Sequence, residues 1–169
     1  GALMGGLALG FLEETLFRGL VLRCFYTLFR PWPAILLCSA FFAYTHFKHP
    51  GALFSSANLE PGFASGWLVA FHTLFGIFQS FAWLPFLNLL MFGNLLCLVT
   101  LRTRSLMSAA GLHAGAVFVM LSNRKCFHIH PDEGRIFWGG GGIIDGIFPL
   151  ILLTLLTIWL AVTVRRQGA

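Results

Sequence analysis

Apolar residues run in long blocks along this chain, broken at a few points by prolines, glycines and charge. About 20 apolar residues span a bilayer as a helix, and on that ruler the pattern predicts six helices. The first runs from Ala2 to Phe29 and stops before Pro31-Trp32-Pro33. The second runs from Pro33 to Phe47. Lys48 to Ser65 is polar and marked by Gly and Pro, and reads as a loop. A third helix, Gly66 to Leu84, is rich in Phe and Trp and carries His72 and Gln79; it fits a span or an interfacial helix. Pro85 separates it from a fourth, Phe86 to Leu101. The run Arg102-Thr103-Arg104 leads to Ser105, a residue type that caps helix N-termini, for a fifth helix ending near Leu121. A polar loop, Ser122 to Gly142, closes on four glycines. The last helix, Ile143 to Val164, is closed by Arg165 and Arg166.

Composition turns this pattern into a fold class. Hydrophobic residues make up 57% of the chain and charged residues only 10%, with a mean hydropathy of +0.82. A soluble domain carries about a quarter charged residues, so this chain lacks the polar surface that facing water requires. The expectation is an all-α, polytopic transmembrane bundle of about six helices, forming one domain over residues 1–169. The apolar sequence begins at Gly1 with no basic n-region or cleavage site. The chain therefore reads as a segment of a longer protein with further helices upstream.

The net charge of +5 does not point to nucleic acid. Arg23, Arg30, Arg102, Arg104, Arg124, Lys125, Arg165 and Arg166 stand at or beyond the ends of apolar stretches, where headgroup anchors belong. The expected partner is the lipid bilayer, and no nucleic-acid partner is expected. The basic residues divide almost evenly between the two sides, so they do not set the orientation. The cysteines, Cys24, Cys38, Cys97 and Cys126, have no C-x-x-C spacing, and three lie in apolar runs as small hydrophobes.

The first helix carries an anomaly. An ionisable residue within a membrane helix costs about 2.5–3.5 kcal/mol on insertion scales, and here Glu13, Glu14 and Arg18 fall within six positions. Glu14 and Arg18 are i,i+4 neighbours and can pair; Glu13 points about 100° away and is not neutralised by the same contact. Gly6, Gly10 and Glu13 share a stripe of the kind that lets helices approach closely, which directs Glu13 at another helix. Two further histidines lie in apolar helices. His46 ends the second with Ser39 and Phe42 on its face, and His113 sits mid-helix between Gly111 and Gly115, a second small-xxx-small pair. Three helices each offering an ionisable side chain at close-packing positions point to one shared site.

The stretch Glu13-Glu14-Thr-Leu-Phe-Arg18 resembles the E-E-x-x-x-R motif of the CPBP family, the glutamic intramembrane proteases that include the CAAX prenyl endopeptidases. Phe42-Ala-Tyr-Thr-His46 resembles its F-x-x-x-H motif. Gly93 through Ser105-Leu106 to His113 resembles its third motif. The order agrees, and the resemblance covers nearly the whole chain. It implies an intramembrane endopeptidase in which Glu13 and His46 activate a water, His113 holds the developing oxyanion, and Glu14 and Arg18 orient Glu13. It implies a membrane-associated protein or peptide as substrate, of CAAX, bacteriocin or surface-protein type, and no cofactor. Glutamate with two histidines is also a ligand set that zinc accepts; the family resemblance favours the metal-free mechanism. The chain departs from the family at Val117, where an Asn often stands four residues after the last histidine, and in a longer stretch between His46 and Gly93.

Two other readings use the same residues. A non-catalytic membrane scaffold would need them only to hold helices together. A small transporter or proton relay would carry ions on them, although the sequence has no inverted repeat or pair of broken helices. Cys126, His128, His130, Asp132 and Glu133 alternate in a loop without the spacing of structural zinc sites and read as interfacial polarity, as do His49 and His72.

Overall fold

The computed structural model describes residues 2–46, 65–68, 82–126, 134–139 and 145–167. These residues are almost entirely helical and contain no strand, so the bundle is all-α. Helix α1 starts as α-helix over Ala2–Glu14, widens to a π-helix over Thr15–Val21 and returns to α-helix over Leu22–Leu28. Next come α2 (Pro31–His46) and α3 (Trp83–Thr103), then α4 (Leu106–Cys126), the short α5 (Arg135–Trp138) and α6 (Ile147–Gln167).

Several boundaries differ from the sequence expectation. Pro85 does not separate two helices; it sits in the first turn of α3 after Ala82, where a missing N–H costs no intrahelical bond. Helix α4 runs past Leu121 to Cys126, and α5 forms inside the stretch expected to be loop. Of the expected third helix, residues 66–68 are helical and 83–84 belong to α3; 69–81, with His72 and Gln79, lie outside the described residues, as does His49.

Helix α3 is the hub, packed against α2, α4 and α6, while α1 packs against α4 and its C-terminal part against α2. The α2–α3 contact is close because small residues meet there. A Cβ on Gly93 would lie 3.0 Å from Ser39 Cβ and 3.1 Å from Ser39 Cα. The α1–α4 contact uses Gly10, whose added Cβ would meet Ala114 N at 3.4 Å and Ala110 O at 3.5 Å. The expected pair Gly111 and Gly115 does not make this contact; both face open space. The face that packs is one residue earlier, on Ala110 and Ala114, which are buried.

Helices α3, α4 and α6 are each long and apolar enough to cross a membrane. Leu12, Leu20, Leu36, Leu155 and Trp159 stand on the outside of the bundle, each more than half exposed. Glu14, Arg18, Ser39, Asn88 and His113 are buried within it. This inverts the soluble arrangement and matches a protein whose solvent is lipid.

Candidate active site

The site begins with the backbone of α1. Just past Glu14 the helix widens, and the Leu22 N–H bonds to the Phe17 carbonyl, five residues back. Two side chains support the departure. Thr15 Oγ1 donates to the Phe11 carbonyl at 2.8 Å, a bond that competes with the backbone ladder. The Cys38 thiol of α2 donates to the Phe17 carbonyl at 3.3 Å. π-Helical turns inside α-helices occur often at functional sites, and this one buries Phe17 and Arg18 side by side against α2 and α3.

Arg18 and Glu14 form the expected pair, Nη1 to Oε1 at 2.9 Å, with both side chains almost wholly buried. The pair is not self-contained. Arg18 Nη2 donates to the Gly93 carbonyl at 3.2 Å, and its guanidinium lies 4.6 Å from the Phe42 ring centroid, a cation–π distance. Glu14 Oε1 also accepts from His113 Nδ1 at 2.9 Å. One carboxylate oxygen thus ties α1 to α4, while the arginine ties α1 to α3.

Glu13 lies on the neighbouring face. Its Oε2 stands 3.6 Å from His46 Nε2 and 3.6 Å from His113 Nε2, so helices α1, α2 and α4 bring Glu13, His46 and His113 together. Both separations exceed a direct hydrogen bond. Glu13 Oε2 is buried and has no hydrogen-bond partner among the described residues. The other ring nitrogens are occupied. His46 Nδ1 donates to the Phe42 carbonyl at 2.8 Å, and His113 Nδ1 donates to Glu14. With each Nδ1 engaged, the Nε2 atoms are the ring nitrogens that face Glu13. Among the described residues, no three His, Cys, Asp or Glu side chains are grouped as a metal centre. The Cys126-to-Glu133 cluster lies outside the described side chains.

Two contributors have roles that sequence inspection does not assign. Phe92 stands edge-on to His113 with centroids 5.6 Å apart, and Phe42 does the same at 5.8 Å while packing on His46 at 4.3 Å. The two rings fix the imidazoles on their apolar side. The second contributor is the carbonyl of Gly93, reached by Arg18 only because no Cβ keeps α3 away from α2. Phe42 was visible as part of its motif; Phe92 is one of 19 phenylalanines and carries no local signal. Val117 lies one turn beyond His113 and is partly buried.

A family model described as Rce1-like, type II CAAX prenyl endopeptidase, matches residues 1–119. That span contains Glu13, Glu14, Arg18, His46 and His113, and ends before α5 and α6. No curated protein and no solved structure matches the chain.

Proposed function

We propose that this chain, which belongs to the Rce1-like family of type II CAAX prenyl endopeptidases, is an intramembrane endopeptidase in which Glu13 activates the attacking water. Membership supports peptidase activity in a membrane setting; the assignment of roles is our own. The observation that carries it is the convergence of Glu13 Oε2 with two imidazole Nε2 atoms from different helices.

In this reading a water held between Glu13 and His46 loses a proton to the Glu13 carboxylate as its oxygen attacks the scissile carbonyl. The carbonyl oxygen becomes an oxyanion. His113, held through Nδ1–H on Glu14, enters the step with both ring nitrogens protonated and donates a hydrogen bond from Nε2–H to that oxyanion, with no net proton gained or lost. The proton taken by Glu13 then passes to the leaving amide nitrogen, the C–N bond breaks, and the carboxylate is restored. Arg18 holds Glu14, and through it the His113 ring, in place. Residues 1–169 act as one domain of a multi-pass protein, placed in the cell membrane if the source is prokaryotic. The substrate class is a membrane-associated protein or peptide, of CAAX-like or of bacteriocin or surface-protein type.

The test is Glu13→Gln, which keeps shape and hydrogen bonding but removes the base. Reconstituted protein carrying it is expected to lose cleavage of a membrane-associated peptide while melting like the parent. Cleavage at the parental rate would sink the assignment and leave Glu13 a packing residue.

A further inference from the structure

A second polar constellation lies beyond the Glu14–Arg18 pair. A cavity of about 340 Å³ opens where α1, the end of α3 and the start of α4 meet, walled by Arg18, Arg23 and Arg104 with the hydroxyl residues Tyr26 and Thr100. Leu22, Leu101 and Leu106 complete the wall. At 1.5 Å per residue, Arg23 stands about 15 Å along α1 from Glu13, so the cavity extends away from Glu13 and meets that site at Arg18, which pairs with Glu14.

Its depth in the membrane follows from the chain path. Arg104 belongs to the short turn between α3 and α4, both long and apolar enough to cross a bilayer. A turn joining two consecutive spans lies at the membrane surface, among the headgroups.

Its wall carries no acidic side chain. Arg18 pairs with Glu14, but neither Arg23 nor Arg104 has an ion-pair partner among the described residues. Arg18 Nε is buried and also lacks a partner. Arg18 is buried while Arg23 and Arg104 are exposed, so solvent screens the repulsion between the outer two. Arg104 ends α3 with a left-handed backbone, φ 53°, the conformation in which many helices terminate. Three guanidinium groups around one cavity with no acidic side chain in its wall make a surface that suits an anion.

We infer that this cavity binds the phosphate headgroup of an anionic phospholipid. Guanidinium forks match phosphate oxygens in paired hydrogen bonds, and the Tyr26 and Thr100 hydroxyls add donors. The volume equals that of about eleven liquid waters, enough for a phosphodiester and the start of a glycerol backbone against the leucines. Leu20 and Met107, each more than half exposed, continue the apolar surface for acyl chains. A peptide carboxylate is the lesser fit. The almost fully buried Glu14–Arg18 pair blocks a path through the core from Glu13.

The experiment extracts the protein from nanodiscs of phosphatidylcholine doped with phosphatidylglycerol and counts retained lipid by native mass spectrometry. The expected result is one tightly held phosphatidylglycerol per chain. Arg23→Gln and Arg104→Asn each weaken it about 5-fold, and together about 30-fold, from the worth of one basic residue at an anionic surface. Asn is chosen at position 104 because it tolerates the left-handed backbone. Should the double variant fail to fold, Arg23→Gln alone still reads the 5-fold step, and Arg23→Lys is expected to restore only part of it, the charge without the paired hydrogen bonds. Undiminished retention in Arg23→Gln overturns the site. Complete displacement by inorganic phosphate alone overturns the lipid assignment in favour of a free anion. Displacement by a short peptide with a free C-terminus, but not by its amide, overturns it in favour of a substrate subsite.

Discussion

Replacing Arg18 with Met removes a charge from the most buried ion pair in the bundle while keeping much of the side-chain volume. Glu14 would keep only the His113 bond, in a pocket where its side chain is 1% exposed. The Gly93 carbonyl would lose a donor, and Phe42 its guanidinium partner. Breaking a buried pair from one side costs about 3–5 kcal/mol because the surviving charge is left uncompensated. For a chain of this size that corresponds to a melting shift of about 6–20 °C. Neutralising both ends behaves differently. In Glu14→Gln/Arg18→Met the amide oxygen still accepts from His113 Nδ1, no bare charge remains, and apolar replacement of a buried pair is often close to neutral. The double variant is therefore expected to be more stable than Arg18→Met alone by at least about 2 kcal/mol. Thermal melts of the two single variants, the double variant and the parent in one detergent close the cycle. A double variant as unstable as the sum of the singles would refute the pairing, and with it the idea that Glu14 is charged in the fold.

Other predictions follow from particular contacts. Gly93→Ala drives a Cβ to 3.0 Å from Ser39 and is expected to cost about 1–3 kcal/mol of overpacking, partly offset by helix propensity. Gly111→Ala meets nothing and is expected to be neutral or to stabilise by up to about 1 kcal/mol; paired melts check both, and equal effects would discredit the α2–α3 contact. His113→Ala is expected to reduce both activity and melting temperature, since its side chain is 5% exposed and bonded to Glu14. His46→Ala, with a side chain 29% exposed, is expected to abolish peptide cleavage with a much smaller stability change; comparable melting losses would contradict their different burial. Val117→Asn places a donor one turn beyond His113 and is expected to raise kcat, by less than the roughly 10²–10³ that an evolved oxyanion donor contributes. An unchanged kcat would show that the substrate oxygen does not reach that turn.

Much of the architecture could be read from the sequence because membrane helices announce themselves by composition. Long apolar runs predict helices wherever they occur, and lipid forbids unpaired backbone, so fold class follows from hydropathy. The Glu14–Arg18 contact was equally legible, since i,i+4 spacing is a local property. The convergence of Glu13, His46 and His113 was expected from their small-residue surroundings and family motifs, not from the apolar pattern. The uniform hydrophobicity that reveals the helices also erases the stripe that would show which way each one faces.

Rotation therefore had to come from packing. The sequence offered Gly111 and Gly115 as the contact face of α4; the bundle uses Ala110 and Ala114, because that rotation turns His113 inward onto Glu14 and seats α4 against Gly10. The π-helical stretch after Glu14 has no signature in residue pattern. It depends on a local threonine hydroxyl and on a thiol from α2 taking up backbone carbonyls, and the second contact exists only once the helices have docked. The bond from His113 to Glu14 joins residues 99 positions apart, and no local periodicity encodes it. Local spacing determined the charged pair and the helices that carry it. Only the close approach of α2, α3 and α4, set by glycine and alanine at the contacts, decided that the pair anchors a histidine and leaves Glu13 between two imidazoles.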